Sequence, residues 1–513
     1  MDADLASIQN ARDLLERSKA AQVAFESASQ AEVDRIVDAM ARAATDHAEE
    51  LARLAVEESG LGRVKSKIEK NRFVSVRLHQ AYRNLRTCGI IHEDPGRGIV
   101  EIAYPVGVVA GIIPITNPTS TAIFKILIAL KGRNSIVLSP HPRGVRCIAR
   151  SAEILRRAAV RAGAPEDLIL CMDRPTLEGT QALMRHPLTS VIVATGGQGV
   201  VKAAYSSGKP AFGVGPGNPP VFVHRSASLE HAARCLVASQ CFDYGTICSS
   251  EQALVVEGAI AAPFREALEG AGAHFCDDSE AELLRRAVEL PGGDLNTAIV
   301  GQSARTIAGM AGFTVGAGCT ILIAPEEGVG RAYPLSREKL APILAWYETD
   351  DWRSGCERCI ELIRHGGDGH TLGIYCRDRQ VIRAFGLEKP VARIIVNGPT
   401  SQGAVGFSTD LEPSMTLGCG TMGGNITADN IGPRHLVNLK RVAWPRPGFF
   451  EEVGLPFDEA DGASGHEEEG RTAARGKLYG GGGVDLRVEE LVSRALAGTR
   501  SPPGRGFYRS RRL

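Results

Sequence analysis

An α/β fold built on mainly parallel sheets follows from three observations on the 513-residue chain. From about Val106 onward, short apolar, β-rich runs alternate with helical stretches. The runs are too continuously apolar for a sheet with one wet face, as strands covered on both sides are. The alternation then resumes in a second series beyond residue 250, which points to a second α/β domain.

The N-terminal ~85 residues read as helices instead. Val33, Ile36, Val37, Met40 and Ala44 recur at helical spacing, and Ser29 with Glu32 forms a capping-box signature ahead of them. The first βαβ series has strands at Val106–Ile113, Ile136–Leu138, Val191–Ala194 and Val221–Val223, with helices at Thr121–Leu130 and Val145–Ala162. The second has strands at Ala253–Val256, Ala298–Val300, Ile321–Ile323, Gly373–Tyr375 and Ile394–Val396. Pro445–Gly483 has little apolar periodicity, contains Glu467-Glu468-Glu469 and ends in Gly480–Gly483, the composition of a flexible linker. Beyond it, Val484–Ala497 places Val484, Val488, Leu491, Val492, Ala495 and Leu496 on one helical face. Such a helix needs an apolar partner to be stable. A basic tail closes the chain.

Charge narrows the function. Lys+Arg and Asp+Glu each number 59, so the chain lacks the basic excess of a nucleic-acid binder. No apolar run reaches the ~18 residues of a membrane span. Met1–Gln30 lacks the basic start and apolar core of a signal peptide, so a cytoplasmic location is expected. The 12 cysteines would then be reduced thiols.

Cys356 and Cys359 form a CxxC without a second pair, inside the helix-like Asp351–Arg364, and no metal site is expected. Cys88, Cys147, Cys171, Cys235, Cys276, Cys319 and Cys376 read as small apolar packing residues. Cys248 differs. It lies in Phe242–Gln252 (FDYGTICSSEQ), between the helix-like Glu230–Gln240 and an apolar strand. A tight junction of that kind exposes a thiol and turns backbone N–H groups towards developing charge. Asn117, in a loop after a strand, is either an oxyanion donor or a turn residue before Pro118. Gly196 and Gly197 follow the strand at Val191 and open the helical stretch Val200–Ser206, a setting that suits dinucleotide phosphates. The full GxGxxG is missing, as is an acidic residue ~20 positions on.

Six stretches occur in one order: Pro105–Arg143, Ala194–Asn218, Phe242–Gln252, Glu338–Leu344 (EKLAPIL), Gly366–Tyr375 (GGDGHTLGIY) and Leu417–Asn425 (LGCGTMGGN). With them the sequence resembles the CoA-acylating aldehyde dehydrogenases, specifically the aldehyde dehydrogenase half of bifunctional aldehyde–alcohol dehydrogenases, from about Asp4 to Ala443. The alcohol dehydrogenase half is not expected in this chain.

The resemblance implies an aldehyde dehydrogenase-like α/β fold: a Rossmann-type nucleotide-binding domain over residues 1–226 and a catalytic α/β domain over 227–416. Residues 417–443 return to the first domain or form a small bridging arm, followed by the linker (444–483), helix (484–497) and tail (498–513). It also implies NAD or NADP as cofactor, CoA as cosubstrate and a homo-oligomer, dimer or higher. By position, Cys248 matches the nucleophile and Asn117 the oxyanion donor; Gly196 and Gly197 match the phosphate-facing turn. Glu338 matches the carboxylate on the nicotinamide ribose, and Ser139, His141, Pro142 and Arg143 match the adenosine side. His370, in the GHT motif, either assists the CoA thiol or is a structural histidine, and Cys419 is expected to pack close to the site.

The implied chemistry is attack of Cys248 on an aldehyde, hydride loss to the nicotinamide and a thioester left on sulfur. Hydrolytic relatives carry a glutamate base that Gly213–Asn218 lacks, so the thioester is expected to wait for CoA, giving acyl-CoA reversibly. Relatives act on acetaldehyde, propionaldehyde, succinate semialdehyde or sulfoacetaldehyde, and Phe407-Ser408-Thr409 departs from the bifunctional enzymes near the expected pocket. The helix Val484–Ala497 resembles encapsulation peptides, so shell proteins are an expected partner and a bacterial microcompartment lumen an expected location. The alternatives are a hydrolytic aldehyde dehydrogenase and a non-catalytic scaffold or cargo protein.

Overall fold

The computed structural model describes residues 2–446 and 448–456. The expected helix at 484–497 and tail at 498–513, with most of the linker, lie outside the described residues. The N-terminal helices start where the sequence places a cap. Ser29 Oγ accepts from the Glu32 amide at 3.3 Å, and the Glu32 carboxylate accepts from the Ser29 amide at 2.8 Å. The helix Gln30–Asp46 then buries Val33, Ile36, Val37, Met40 and Ala44, the stripe the spacing predicts.

The strands in chain order are β1 (Gly89–Asp94), β2 (Ile99–Pro105), β3 (Val108–Ile112), β4 (Ser135–Ser139), β5 (Ile169–Cys171), β6 (Thr189–Thr195), β7 (Ala211–Val214) and β8 (Pro220–Val223). They continue with β9 (Ala253–Glu257), β10 (Ala273–Phe275), β11 (Ile321–Pro325), β12 (Ile343–Thr349), β13 (Gly369–Tyr375), β14 (Val391–Val396) and β15 (Val437–Ala443). The chain up to Gly89, with Ala103–Asn438, forms the larger unit. It contains a five-stranded sheet, order β5-β4-β3-β6-β7, and a seven-stranded sheet, order β10-β11-β12-β9-β8-β13-β14. Both are parallel throughout.

Burial on both faces explains the continuous apolar runs. Val109, Ile136, Leu138 and Val193 pack in one core with the helices Gln30–Asp46 and Pro118–Lys131. Val108, Ala110, Ile112 and Val137 point the other way, onto Ala11, Leu14 and Leu15 of the helix Ala3–Phe25. Each such side chain contributes about 1.5–3 kcal/mol when fully buried.

The chain crosses from the five-stranded to the seven-stranded sheet between Val214 and Pro220, ahead of the expected boundary at residue 226. Ala298–Val300, expected as a strand, is not one: Ala298 and Ile299 belong to the 3₁₀ turn Thr297–Ile299, and Val300 follows it. The Asn296 side chain accepts from the Ala298 amide at 3.1 Å and so satisfies locally a donor that a strand would give to a neighbour. Ile299 is still fully buried, which is why its apolar character misled.

A smaller unit comprises Ile90–Ile102 and the chain from Leu439 on. Its three-stranded sheet has the order β1-β2-β15, with Arg441 paired to Glu101 at 2.9 Å and the Trp444 amide donating to the Gly98 carbonyl at 2.9 Å. Among the described residues no helix is long and apolar enough to cross a membrane. All 12 cysteines are free thiols, Cys356 and Cys359 being buried on the helix Trp352–Gly366.

Candidate active site

Three carboxyl ends of the five-stranded sheet converge. β3 runs into the loop that carries Asn117, whose neighbour Pro118 opens the helix Pro118–Lys131. β4 ends at Ser139, just before His141, Pro142 and Arg143, and β6 ends just before Gly196 and Gly197, the latter capping the helix Gln198–Tyr205. Ligand crevices in open α/β sheets form at such ends. From the seven-stranded sheet come the turn holding Cys248, ahead of β9, and the segment holding Glu338, ahead of β12.

These groups line one cavity of about 690 Å³: Asn117, Ser139, His141, Pro142, Arg143, Gly196, Gly197, Cys248 and Glu338. Nine of the ten expected site residues thus meet in one space, scattered as they are along the sequence. Of the residues lining it, Glu338 alone is acidic, and Gly215 and Pro216 also border it.

The cavity fits a nicotinamide dinucleotide. A side chain at Gly197 would meet no protein atom within 4 Å, so that glycine leaves open space at a helix N-terminus, where phosphate is favoured. Pro140, Pro142, Pro175, Leu177 and Val200 supply apolar wall, and Ser139 Oγ lies 2.8 Å from Thr180 Oγ1. The Glu338 carboxyl accepts from the Gly217 amide at 3.0 Å and borders the same space, placed for hydroxyl partners.

The turn at Cys248 is closed by the Ser250 amide donating to the Ile247 carbonyl at 2.8 Å, and the thiol is half-buried. Burial pushes the thiol up to about 12, with Glu338 and Cys419 adding to the rise and Arg393 opposing it. Burial likewise lifts the Glu338 carboxyl to about 8, against the Gly217 amide. At neutral pH both groups hold their protons for most of the time. Asn117 faces the cysteine turn: its Nδ2 donates to the Thr246 carbonyl at 3.1 Å and to Thr116 Oγ1 at 3.3 Å.

His370 does not line the cavity. It is fully buried behind the cysteine turn, with Gly217 wedged between. A Cβ at Gly217 would overlap the Cys248 carbonyl oxygen and lie 3.0 Å from His370 Cγ. Nδ1 sits 3.0 Å from Thr371 Oγ1, Nε2 has no hydrogen-bond partner, and burial together with Arg393 lowers the imidazole to about 3, so it is neutral. Cys419 is buried against Gly369 and Gly423, whose missing side chains make room for it.

Three residues next to the site had no role in the sequence reading: Lys67, Lys70 and Asp243. They are buried and paired, and Lys70 donates to Asn117 Oδ1 at 2.5 Å. Their signal in the sequence is weak, because lysines three apart on a helix ordinarily mark a solvated face.

The fold and the cavity define an α/β protein that presents a thiol to a dinucleotide-sized cleft. Residues 2–275 match the aldehyde dehydrogenase family, and the chain belongs to that family. It is 45% identical over 459 residues to the bifunctional aldehyde-alcohol dehydrogenase of Escherichia coli (strain K12), a match covering 86% of this chain and 51% of that protein. The chain therefore spans about half the length of that curated relative. Its structure is similar to an acetylating aldehyde dehydrogenase from Geobacillus thermoglucosidasius, with a TM-score of 0.86 and 48% identity over 87% of this chain and 98% of that one. A propionaldehyde dehydrogenase of Rhodopseudomonas palustris, solved with bound CoA and an acylated cysteine, matches with a TM-score of 0.76 and 27% identity over 84% of this chain and 96% of that one.

Proposed function

We propose that the protein is a CoA-acylating aldehyde dehydrogenase: it oxidises a small aldehyde with NAD or NADP and CoA to an acyl-CoA. One observation carries the reading: Cys248, Asn117 and Glu338 border one dinucleotide-sized cavity, which Gly215 and Pro216, from the stretch expected to lack the glutamate of hydrolytic relatives, also line.

Cys248 gives up its thiol proton and bonds through Sγ to the aldehyde carbon, and the carbonyl oxygen becomes an oxyanion that Asn117 Nδ2 meets. The bound nicotinamide supplies a hydride acceptor. Loss of the aldehyde hydrogen as hydride leaves a thioester on Cys248. The CoA thiol then attacks that thioester, the acyl–Sγ bond of Cys248 breaks, and the proton lost by CoA returns to the leaving sulfur, so that the Cys248 thiol is restored with the acyl group on CoA. Glu338 positions the nicotinamide ribose. With its carboxyl lifted to about 8 it is mainly protonated at neutral pH and a poor base for water, which protects the thioester. His370, neutral and buried behind the turn with Gly217 between it and the cavity, supports the Cys248 turn, the alternative being a direct part in handling the CoA thiol.

In this reading the five-stranded part, with residues 1–226 as its approximate extent, binds the dinucleotide, and residues 227–416 carry the nucleophile. The protein works as a homo-oligomer, and its C-terminal segment 484–497 recruits it to microcompartment shell proteins. Truncation at Leu478 followed by co-purification with shell proteins tests the last point; unchanged recruitment rules it out.

The function itself is tested by adding aldehyde and NAD or NADP with and without CoA. NADH formation that depends on CoA supports the reading. CoA-independent NADH supports hydrolytic oxidation, and no NADH with any aldehyde of a panel supports a scaffold.

A further inference from the structure

Behind Asn117 stand three buried charged side chains that the steps above do not use. Lys67, Lys70 and Asp243 are only 2%, 3% and 0% exposed. Both lysines come from the helix Val64–Arg72, and their spacing of three places them on one face. Lys70 Nζ donates to Asn117 Oδ1 and to Asp243 Oδ2, each at 2.5 Å, and to Thr246 Oγ1 at 3.2 Å. Lys67 Nζ donates to the Thr116 carbonyl and to Asp243 Oδ2, each at 3.0 Å. Asp243 also accepts from the Arg63 amide at 2.6 Å and from Thr246 Oγ1 at 2.9 Å.

Two features make this cluster unlike an ordinary buried ion pair. First, two ammonium groups share one carboxylate, which leaves a surplus positive charge inside the protein. A buried unmatched charge is expensive, and it is repaid where negative charge arrives. Second, Asp243 and Tyr244 hold φ of +51° and +55°, a left-handed backbone disfavoured for residues other than glycine. The chain thus accepts a strained backbone at the residue whose carboxylate the two lysines share.

An ammonium group only donates, so the Asn117 amide oxygen must face Lys70 and its NH₂ must face the cysteine turn. Donation into that oxygen also draws electron density from Nδ2 and strengthens its N–H groups as donors. Neither lysine nor Asp243 lines the 690 Å³ cavity, so the cluster acts through Asn117 and not by touching the aldehyde.

We infer that Lys70, braced by Lys67 and Asp243, is a positioning residue for the oxyanion: it fixes the Asn117 amide with its N–H groups outward and sets a positive charge behind the developing negative one. The longer contact from Nδ2 to Thr116 Oγ1, 3.3 Å, is the one the oxyanion replaces. The inference rests on the reading of Asn117 given under the proposed function.

The test is a double-mutant cycle in the full chain with Lys70→Met and Asn117→Ala, read as kcat for CoA-dependent NADH formation alongside KM for NAD and the melting temperature. Lys70→Met in the wild-type background is expected to lower kcat by about 10- to 100-fold, with KM for NAD within about twofold. In the Asn117→Ala background the same change is expected to cost at least about threefold less, because the amide it orients is gone and only the direct effect of its charge is left. An undiminished cost in that background, or no cost in the wild type, overturns the inference. If Lys70→Met melts far below the wild type, Lys70→Gln, which keeps a neutral donor but loses the charge, is carried through the same cycle, with an expected loss of about 3- to 10-fold in the wild-type background; no loss there overturns the charge part of the inference. If Asn117→Ala itself turns over at the wild-type rate, the reading of Asn117 fails; a slow Asn117→Ala beside an unaffected Lys70→Met removes this inference alone.

Discussion

Asn117 Nδ2 donates to the carbonyl of Thr246 at 3.1 Å across 129 residues of sequence, tying the loop after β3 to the turn that carries Cys248. Replacing Asn117 by Ala removes that tie and the oxyanion donor. The expected loss is about 10²–10³-fold in kcat, with stability lowered by about 1–3 kcal/mol because Lys70 loses a partner. Asn117→Asp is expected to be slower still, since a carboxylate repels the oxyanion. Steady-state NADH formation and a thermal melt measure both.

Glu338 makes the product pH-dependent. Its carboxyl is lifted from 4.5 to about 8, so it is protonated below that pH and becomes a carboxylate above it. The carboxylate is the form that activates water, so CoA-independent NADH formation should rise as pH passes upward through about 8. Glu338→Gln should abolish that rise. Stability follows with the opposite sense: between 4.5 and about 8 the folded state holds a proton that the unfolded chain has lost. The wild type therefore loses stability as pH rises through that window, and melts of Glu338→Gln should lack this component.

Gly217 allows no side chain. A Cβ there overlaps the Cys248 carbonyl oxygen and presses on His370, so Gly217→Ala must displace the nucleophile turn. Overpacking of this kind costs about 1–3 kcal/mol, and a misplacement near 1 Å costs about 100-fold in rate. A melt and kcat on purified Gly217→Ala check the two effects separately.

His370→Ala separates the two half-reactions. A supporting role behind Gly217 predicts that the burst of NADH on mixing with aldehyde and NAD and the steady-state turnover with CoA slow together, whereas an imidazole acting on the CoA thiol would spare the burst and lower turnover by at least about 10-fold. Stopped-flow absorbance resolves the two phases. Equal slowing of both phases assigns His370 to the packing behind Cys248.

Much of this arrangement is legible in the chain itself because its signals are local. Doubly buried strands such as β3 and β4 announce themselves as apolar runs, and the Ser29–Glu32 cap marks its helix within four residues. The motif resemblance groups Cys248, Asn117, Glu338 and the turn at Gly196 and Gly197, and all of them border the cavity. What stayed hidden depends on distance. Nothing beside Lys67 and Lys70 in sequence says that they meet Asp243, more than 170 residues away, and shed their water. Asn296 converts an expected strand into a 3₁₀ turn through one side-chain hydrogen bond. His370 sits in a recognisable motif, yet only the packing of Gly217 reveals that a backbone stands between it and the cavity.

The central claim is that the acyl group rests on Cys248 until CoA removes it. The most direct measurement is intact-mass analysis with peptide mapping after mixing the protein with aldehyde and NAD or NADP, without CoA. The account predicts one acyl group per chain, located on Cys248, discharged on adding CoA with an equal amount of acyl-CoA appearing. NADH formation with no acylated protein, an acyl group on another of the 12 cysteines, or release as free acid at a rate indifferent to CoA would contradict it.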